Sequence, residues 1–199
     1  MINTFSAWIA GKLLKNNAIS ADDLEVQIYG ITAIICTALN YLILLALAIF
    51  FHRFVEAIIF LIFYMSLRNF IGGWHASSPL KCTVIGTILL FTYMLIAEFL
   101  PAKILTGLLL GGVALILIFM YAPSYMDKDY TPEEIASFKH KSRIIALIML
   151  LIIVISSFLT FWEYRITFQV YAGMGMFSAV LTMLPVRFKN SKFNVYNKN

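Results

Sequence analysis

The sequence predicts an all-α protein: a polytopic membrane helical bundle of about six transmembrane helices, preceded by N-terminal interfacial amphipathic helices. Three observations carry this. The 199 residues are 61% hydrophobic and only 13% charged, with a mean hydropathy of +0.88, whereas a soluble domain is about half apolar and a quarter charged. Apolar runs long enough to cross a bilayer recur along the whole length. Lysine and arginine are also distributed very unevenly between the connections. The chain therefore reads as one integral membrane domain, with interfacial helices over 1–30, a transmembrane bundle over 31–186 and a cytoplasmic tail over 187–199. No separate soluble domain and no cleavable signal peptide are expected, because the first long apolar run begins only near Ile31.

Each element has its own signal. Ile2, Phe5, Trp8, Ile9 and Leu13 fall at helical spacing, with Lys12 and Lys15 on the polar side. That pattern suits a helix lying in the membrane interface or packed on the bundle. Ser20 followed by Asp23 resembles a capping box and starts a second short helix. Spans are expected over 31–51, 54–70, 82–100, 103–121, 144–162 and 166–186. Several connections are too short for anything but antiparallel neighbours. Ahead of the fifth span, Thr131-Pro132-Glu133-Glu134 supplies an N-cap threonine, a proline at the first helical position and acids in the first turn. This helix should run through His140 into the span. Phe188 to Asn199 reads as a short, disordered basic tail.

Charge sets the orientation. With the N-terminus inside, the inner segments hold Lys12, Lys15, Arg68, Lys81, Lys128, Lys139, Lys141, Arg143, Arg187, Lys189, Lys192 and Lys198. The outer turns hold Arg53, Lys103 and Arg165. This bias places both termini, the 68–82 stretch and the 122–143 loop in the cytoplasm. The net charge of +5 is thus accounted for by cytoplasmic loops, and no aromatic-interleaved basic platform for nucleic acid is present. Cys36 and Cys82 make no disulfide framework. Cys36 falls within a span, as a small apolar filler.

Chemistry concentrates in Arg68-Asn-Phe-Ile-Gly-Gly-Trp-His-Ala-Ser-Ser-Pro-Leu-Lys-Cys82, a polar, glycine-bearing break between two apolar runs. Ser78-Pro79 reads as N-cap and first helical residue, which puts Cys82 in the first turn of the third span. Free amides and the positive end of the helix dipole favour a thiolate there, and Lys81 and Arg68 add positive charge. In a continuous helix His75 would lie about 10 Å from Cys82 along the axis, so the chain must fold back between them. Gly72-Gly73 supply the freedom for that, and Pro79 disfavours helix at Ser78. A base and an activated thiol are the minimum for covalent acyl transfer. Taken singly, a histidine at a membrane interface is usually a surface residue and a lone cysteine usually inert; their joint occurrence in this break is what points to chemistry. His140 is the fallback base, on the same side as Cys82. His52 lies at the far side. Two ligands without a nearby third do not make a zinc site, so no metal or cofactor is expected. Neither an acidic partner for His75 nor an oxyanion hole can be assigned, although the amides around Lys81 and Cys82 are the best candidates for the latter.

Arg68, Gly72-Gly73-Trp74-His75-Ala76 and Cys82 together resemble the signature of the accessory gene regulator protein B (AgrB) family. Tyr121-Ala122-Pro123 before a basic loop, and the closing span near Leu184-Pro185, resemble that family too. The resemblance covers nearly the whole chain. It implies a membrane-embedded cysteine endopeptidase in the cell membrane of a Gram-positive bacterium. Such an enzyme would process a small AgrD-like precursor peptide into a cyclic quorum-sensing pheromone. It makes Cys82 the nucleophile and His75 the general base and acid, with Arg68, Gly72, Gly73 and Lys81 in support, and it suggests a homodimer. The chain departs from the family at Trp74, and in the acids Asp127, Asp129, Glu133 and Glu134 within the basic loop. Two other readings are a small transporter or export component, and a structural membrane subunit without covalent catalysis. A transporter should carry charges along a path inside the membrane, and the span interiors here are nearly free of charge.

Overall fold

The computed structural model describes residues 2–16, 18–73, 79–99, 103–124, 131–159 and 164–196; for 33, 79–83, 98, 103–104 and 186–196 it describes the backbone alone. The described residues form seven helices and no strands: α1 (Ile2–Lys15), α2 (Leu24–Phe50), α3 (Phe54–Ile71), α4 (Pro79–Phe99), α5 (Lys103–Tyr121), α6 (Pro132–Phe158) and α7 (Arg165–Tyr196). Four of them, α2, α3, α6 and the Arg165–Pro185 part of α7, are long and apolar enough to cross a membrane. The apolar stretches Val84–Ala97 and Leu105–Tyr121 of α4 and α5 are shorter.

Helix α1 buries its small face, Ser6 and Ala10, against α2 and leaves its aromatic face exposed. Phe5 and Trp8 stack at 5.8 Å, and the Lys12 ammonium sits 3.9 Å from the centre of the Trp8 ring. An interfacial helix that also packs on the bundle presents that combination of faces.

Three boundaries differ from the sequence expectation. Ser20 does make its local turn: its hydroxyl accepts from the Asp23 N–H (3.3 Å) and donates to the Asp23 carboxylate (2.7 Å). However, the helix that follows is no separate short element. It runs unbroken for 27 residues as α2, so the boundary expected at residue 31 falls inside it. Nothing between Leu24 and Phe50 stops the ladder, and Gly30 keeps a negative φ. At about 40 Å, α2 is longer than the hydrocarbon is thick, a length taken up by tilting or by an end that stands beyond it. The tail expected to be disordered continues α7 as far as Tyr196, through Pro185. Proline removes one backbone donor from a helix, and here the helix continues past that loss. The fifth span is the distal part of α6, which ends at Phe158.

The start of α6 agrees with the expected N-cap threonine and first-position proline, and the structure adds a capping box. The Thr131 hydroxyl accepts from the Glu134 N–H (3.3 Å) and the Glu134 carboxylate accepts from the Thr131 N–H (2.8 Å), closing a capping box with Pro132 at the first helical position.

Helix α7 is the centre of the bundle, with α3 on one side and α5 on the other; α6 packs against all three, and α2 against α3 and α4. Small residues allow the close approach. A Cβ at Gly173 would land on the backbone of Gly107, one at Gly107 on the backbone of Gln169, and one at Gly175 would lie 2.6 Å from the Phe60 carbonyl oxygen. Gly107, Gly111, Gly173 and Gly175 are thus spent on contacts within the chain, while Gly112 has open space around it.

Candidate functional site

Three segments distant in sequence meet at one end of the bundle. The first is the last turn of α3. Leu67 and Ile71 are fully buried and anchor it in the core. The helix ends because Gly72 and Gly73 take φ of 71° and 147°, a region that side chains with a Cβ rarely adopt. Arg68 folds back over this end: a Cβ at Gly73 would collide with its guanidinium and would lie 2.9 Å from the Thr182 carbonyl oxygen of α7. Glycine at 73 is therefore required by conformation and by space together.

The second segment follows α5. Ala122 and Ser124 are buried, and Ser124 is tied to α3. Its N–H donates to the Ile71 carbonyl (2.9 Å) and its hydroxyl donates to the same oxygen (3.2 Å). Ile71 is the last residue of α3, so its carbonyl has no partner within the helix; Ser124 supplies two donors. The third segment is the part of α7 around Thr182 and the fully buried Met183. The same end is braced by Arg143 of α6, whose guanidinium donates to the Phe119 carbonyl (2.8 Å) and lies 4.9 Å over the Phe119 ring. A cation on the final carbonyls of α5 is placed favourably in the helix dipole.

The expected site residues divide into three groups. Arg68, Gly72 and Gly73 are described, and they are brought together as above. Cys82 and Lys81 lie in the first turn of α4, which begins at Pro79 as the Ser78-Pro79 pair predicts; for both, the description stops at the backbone. His75 lies outside the described residues, as do Asp127 and Asp129. The six-residue step from Gly73 to Pro79 reaches at most about 20 Å, which tethers the start of α4 to the Gly73 end of the bundle. Cys36 sits half-buried inside α2. His52 is in the α2–α3 turn at the opposite end, lining a cleft with Glu56 and Tyr164. His140 is on the exposed first part of α6.

Sequence reasoning missed Ser124 and Thr182. A serine directly after Ala122-Pro123 at the end of an apolar run was the available signal for the former. Thr182 takes part through its own backbone carbonyl, which leaves no mark on the sequence.

A family model described as Accessory gene regulator B matches residues 6–184. The Accessory gene regulator protein B of Staphylococcus carnosus (strain TM300) is 26% identical over 154 residues, which are 76% of this chain and 78% of the relative. The Putative AgrB-like protein 2 of Clostridium perfringens (strain 13 / Type A) is 34% identical over 89 residues, 45% of this chain and 42% of that relative. No solved structure matches. The matched region runs from within α1 to within α7 and takes in all three converging segments: the chain belongs to the Accessory gene regulator B family.

Proposed function

We propose that this protein is a membrane-embedded cysteine endopeptidase that cleaves a small precursor peptide and enables its cyclisation into a quorum-sensing signal. The observation that carries this reading is the convergence of Arg68–Gly73, Ala122–Ser124 and Thr182 at the end of the bundle to which the Cys82 turn of α4 is tethered. Family membership supports the same reading. The cation-rich ends of the helices support a site on the cytoplasmic leaflet.

In this mechanism the Cys82 thiolate, favoured by the amino end of α4, attacks a backbone carbonyl of the bound precursor. The first amides of α4 lack partners within their helix and are available to the developing oxyanion. His75 gives a proton to the departing amine; the C–N bond breaks and the C-terminal fragment leaves. The remaining acyl group is a thioester on Cys82. A side-chain nucleophile within the same peptide then gives its proton to His75 and attacks the thioester, closing a ring and returning the sulfur as thiolate. The thioester conserves acyl energy, so no nucleotide is consumed. Limited water at the interface favours ring closure over hydrolysis.

Co-expression with the small amphipathic precursor peptide of the same bacterium, followed by mass analysis, tests this. Cleavage should be lost in Cys82→Ala and His75→Ala and kept in Cys36→Ala. Cleavage by Cys82→Ala at the wild-type rate would overturn the thiol mechanism.

A further inference from the structure

The flank of α3 and α6 carries a feature outside the site described above. A lateral groove of about 670 Å³ runs between the two helices and is almost wholly apolar. On α3 its wall runs from Ile59 to Phe70, and on α6 from Ile145 to Ile152, with Phe168 of α7 at the end near Ile59. Ile62 and Ile148 are each about half exposed, so the groove opens sideways, toward lipid. Ser66 leaves the wall apolar because its hydroxyl donates to the Ile62 carbonyl (2.7 Å).

Length and charge identify the occupant. The eleven steps along α3 from Ile59 to Phe70 rise about 16 Å, which is one leaflet of a hydrocarbon core about 30 Å thick. A spanning helix of a second copy would need the groove to continue through the other leaflet, and its lining stops at Ile59, Ile152 and Phe168. At the other end stand Asn69 of α3 and the exposed Lys141 of α6. Lys141 is one turn before Ile145, in helical register with the groove-lining Ile145, Ile148 and Ile152. Arg143 is turned away onto Phe119, and Glu134 is held in its capping box. The mouth therefore presents a cation at headgroup depth above an apolar slot one leaflet deep. We propose that this groove holds an acyl chain of an anionic phospholipid from the cation-rich side of the membrane, with its phosphate at Lys141.

The test needs no peptide substrate, so its result is independent of the peptidase reading. The full chain is placed in nanodiscs of equal parts phosphatidylglycerol and phosphatidylcholine, and retained lipid is counted by native mass spectrometry. Wild type should keep one phospholipid per chain, with phosphatidylglycerol preferred about fivefold, the effect of one lysine near the headgroups. Lys141→Gln should keep the lipid and lose the preference. Ile148→Trp, which fills the slot, should lose the lipid, and Ile62→Trp does the same from the α3 side. Lys139→Gln, off the stripe, should behave as wild type. The proposal is overturned if Lys141→Gln keeps the wild-type headgroup preference, or if either folded tryptophan variant retains lipid as wild type does. It is also overturned if the tryptophan variants change the number of chains per particle instead, which would assign the groove to a second copy. If neither tryptophan variant folds, the Lys141→Gln arm still decides.

Discussion

Helices α2 and α7 are both apolar, yet the more apolar of the two is the less buried. In α2, 12% of the spanning window is buried; in α7, 67% is. Helix α2 presents Ile34, Leu42, Ile49 and Phe50 outward. Helix α7 turns Gly173, Gly175, Ala172, Ala179, Ser178 and Gln169 inward. In water this arrangement would be inverted. In a bilayer, lipid tails are as apolar as leucine, so large apolar side chains gain little by leaving them. Helices associate where small residues let backbones approach and where polar groups find partners. Gln169 shows the second case, with its amide donating to the Ser157 hydroxyl at 2.7 Å. The candidate site belongs to the α7 side of this contrast, since Gly73 rests on the α7 backbone at Thr182.

The contrast can be broken most sharply at Gly173. Gly173→Leu drives a side chain into the Gly107 backbone, and it should destabilise by about 3 kcal/mol or more, or abolish folding. Gly112 has open space around it. Gly112→Ala should be neutral or stabilising by up to about 1 kcal/mol, as expected for alanine in a helix. Thermal unfolding of the solubilised protein compares the two. Next in size is Gly73→Ala, which meets a positive φ and two neighbours at once. A cost of about 1–3 kcal/mol is expected, together with loss of precursor cleavage while the helical content is kept. Ser124→Ala removes the hydroxyl bond to Ile71 and keeps the backbone one. It should cost about 1 kcal/mol and slow cleavage more than a comparable loss of stability elsewhere would. The smallest effect is expected on the lipid face of α2, where Leu42→Val should stay within about 0.5 kcal/mol of wild type.

Local signals were legible in the sequence, and long-range ones were not. Thr131, Pro132 and Glu134 lie within one turn and determine the start of α6 by themselves, so that reading agrees with the structure. The break after Ile71 was legible for the same reason, since two adjacent glycines permit the backbone found there. The first boundary failed because Ser20–Asp23 marks a helix start while nothing marks an end before Phe50. The last failed because the polar, basic composition from Phe188 onward was read as disorder, and α7 continues through it to Tyr196. The convergence at the site depends on Ser124 reaching across 53 residues to Ile71. That contact is to a backbone carbonyl, which every residue type offers equally.

The central claim is that Cys82, at the start of α4, forms the covalent intermediate. The most direct test is to mix the reconstituted protein with its precursor peptide, quench in acid and measure the intact mass and the modified residue. The account predicts an adduct of the precursor's N-terminal portion on Cys82, released by hydroxylamine and present in Cys36→Ala. An adduct on Cys36, or continued cleavage by Cys82→Ala, would contradict it.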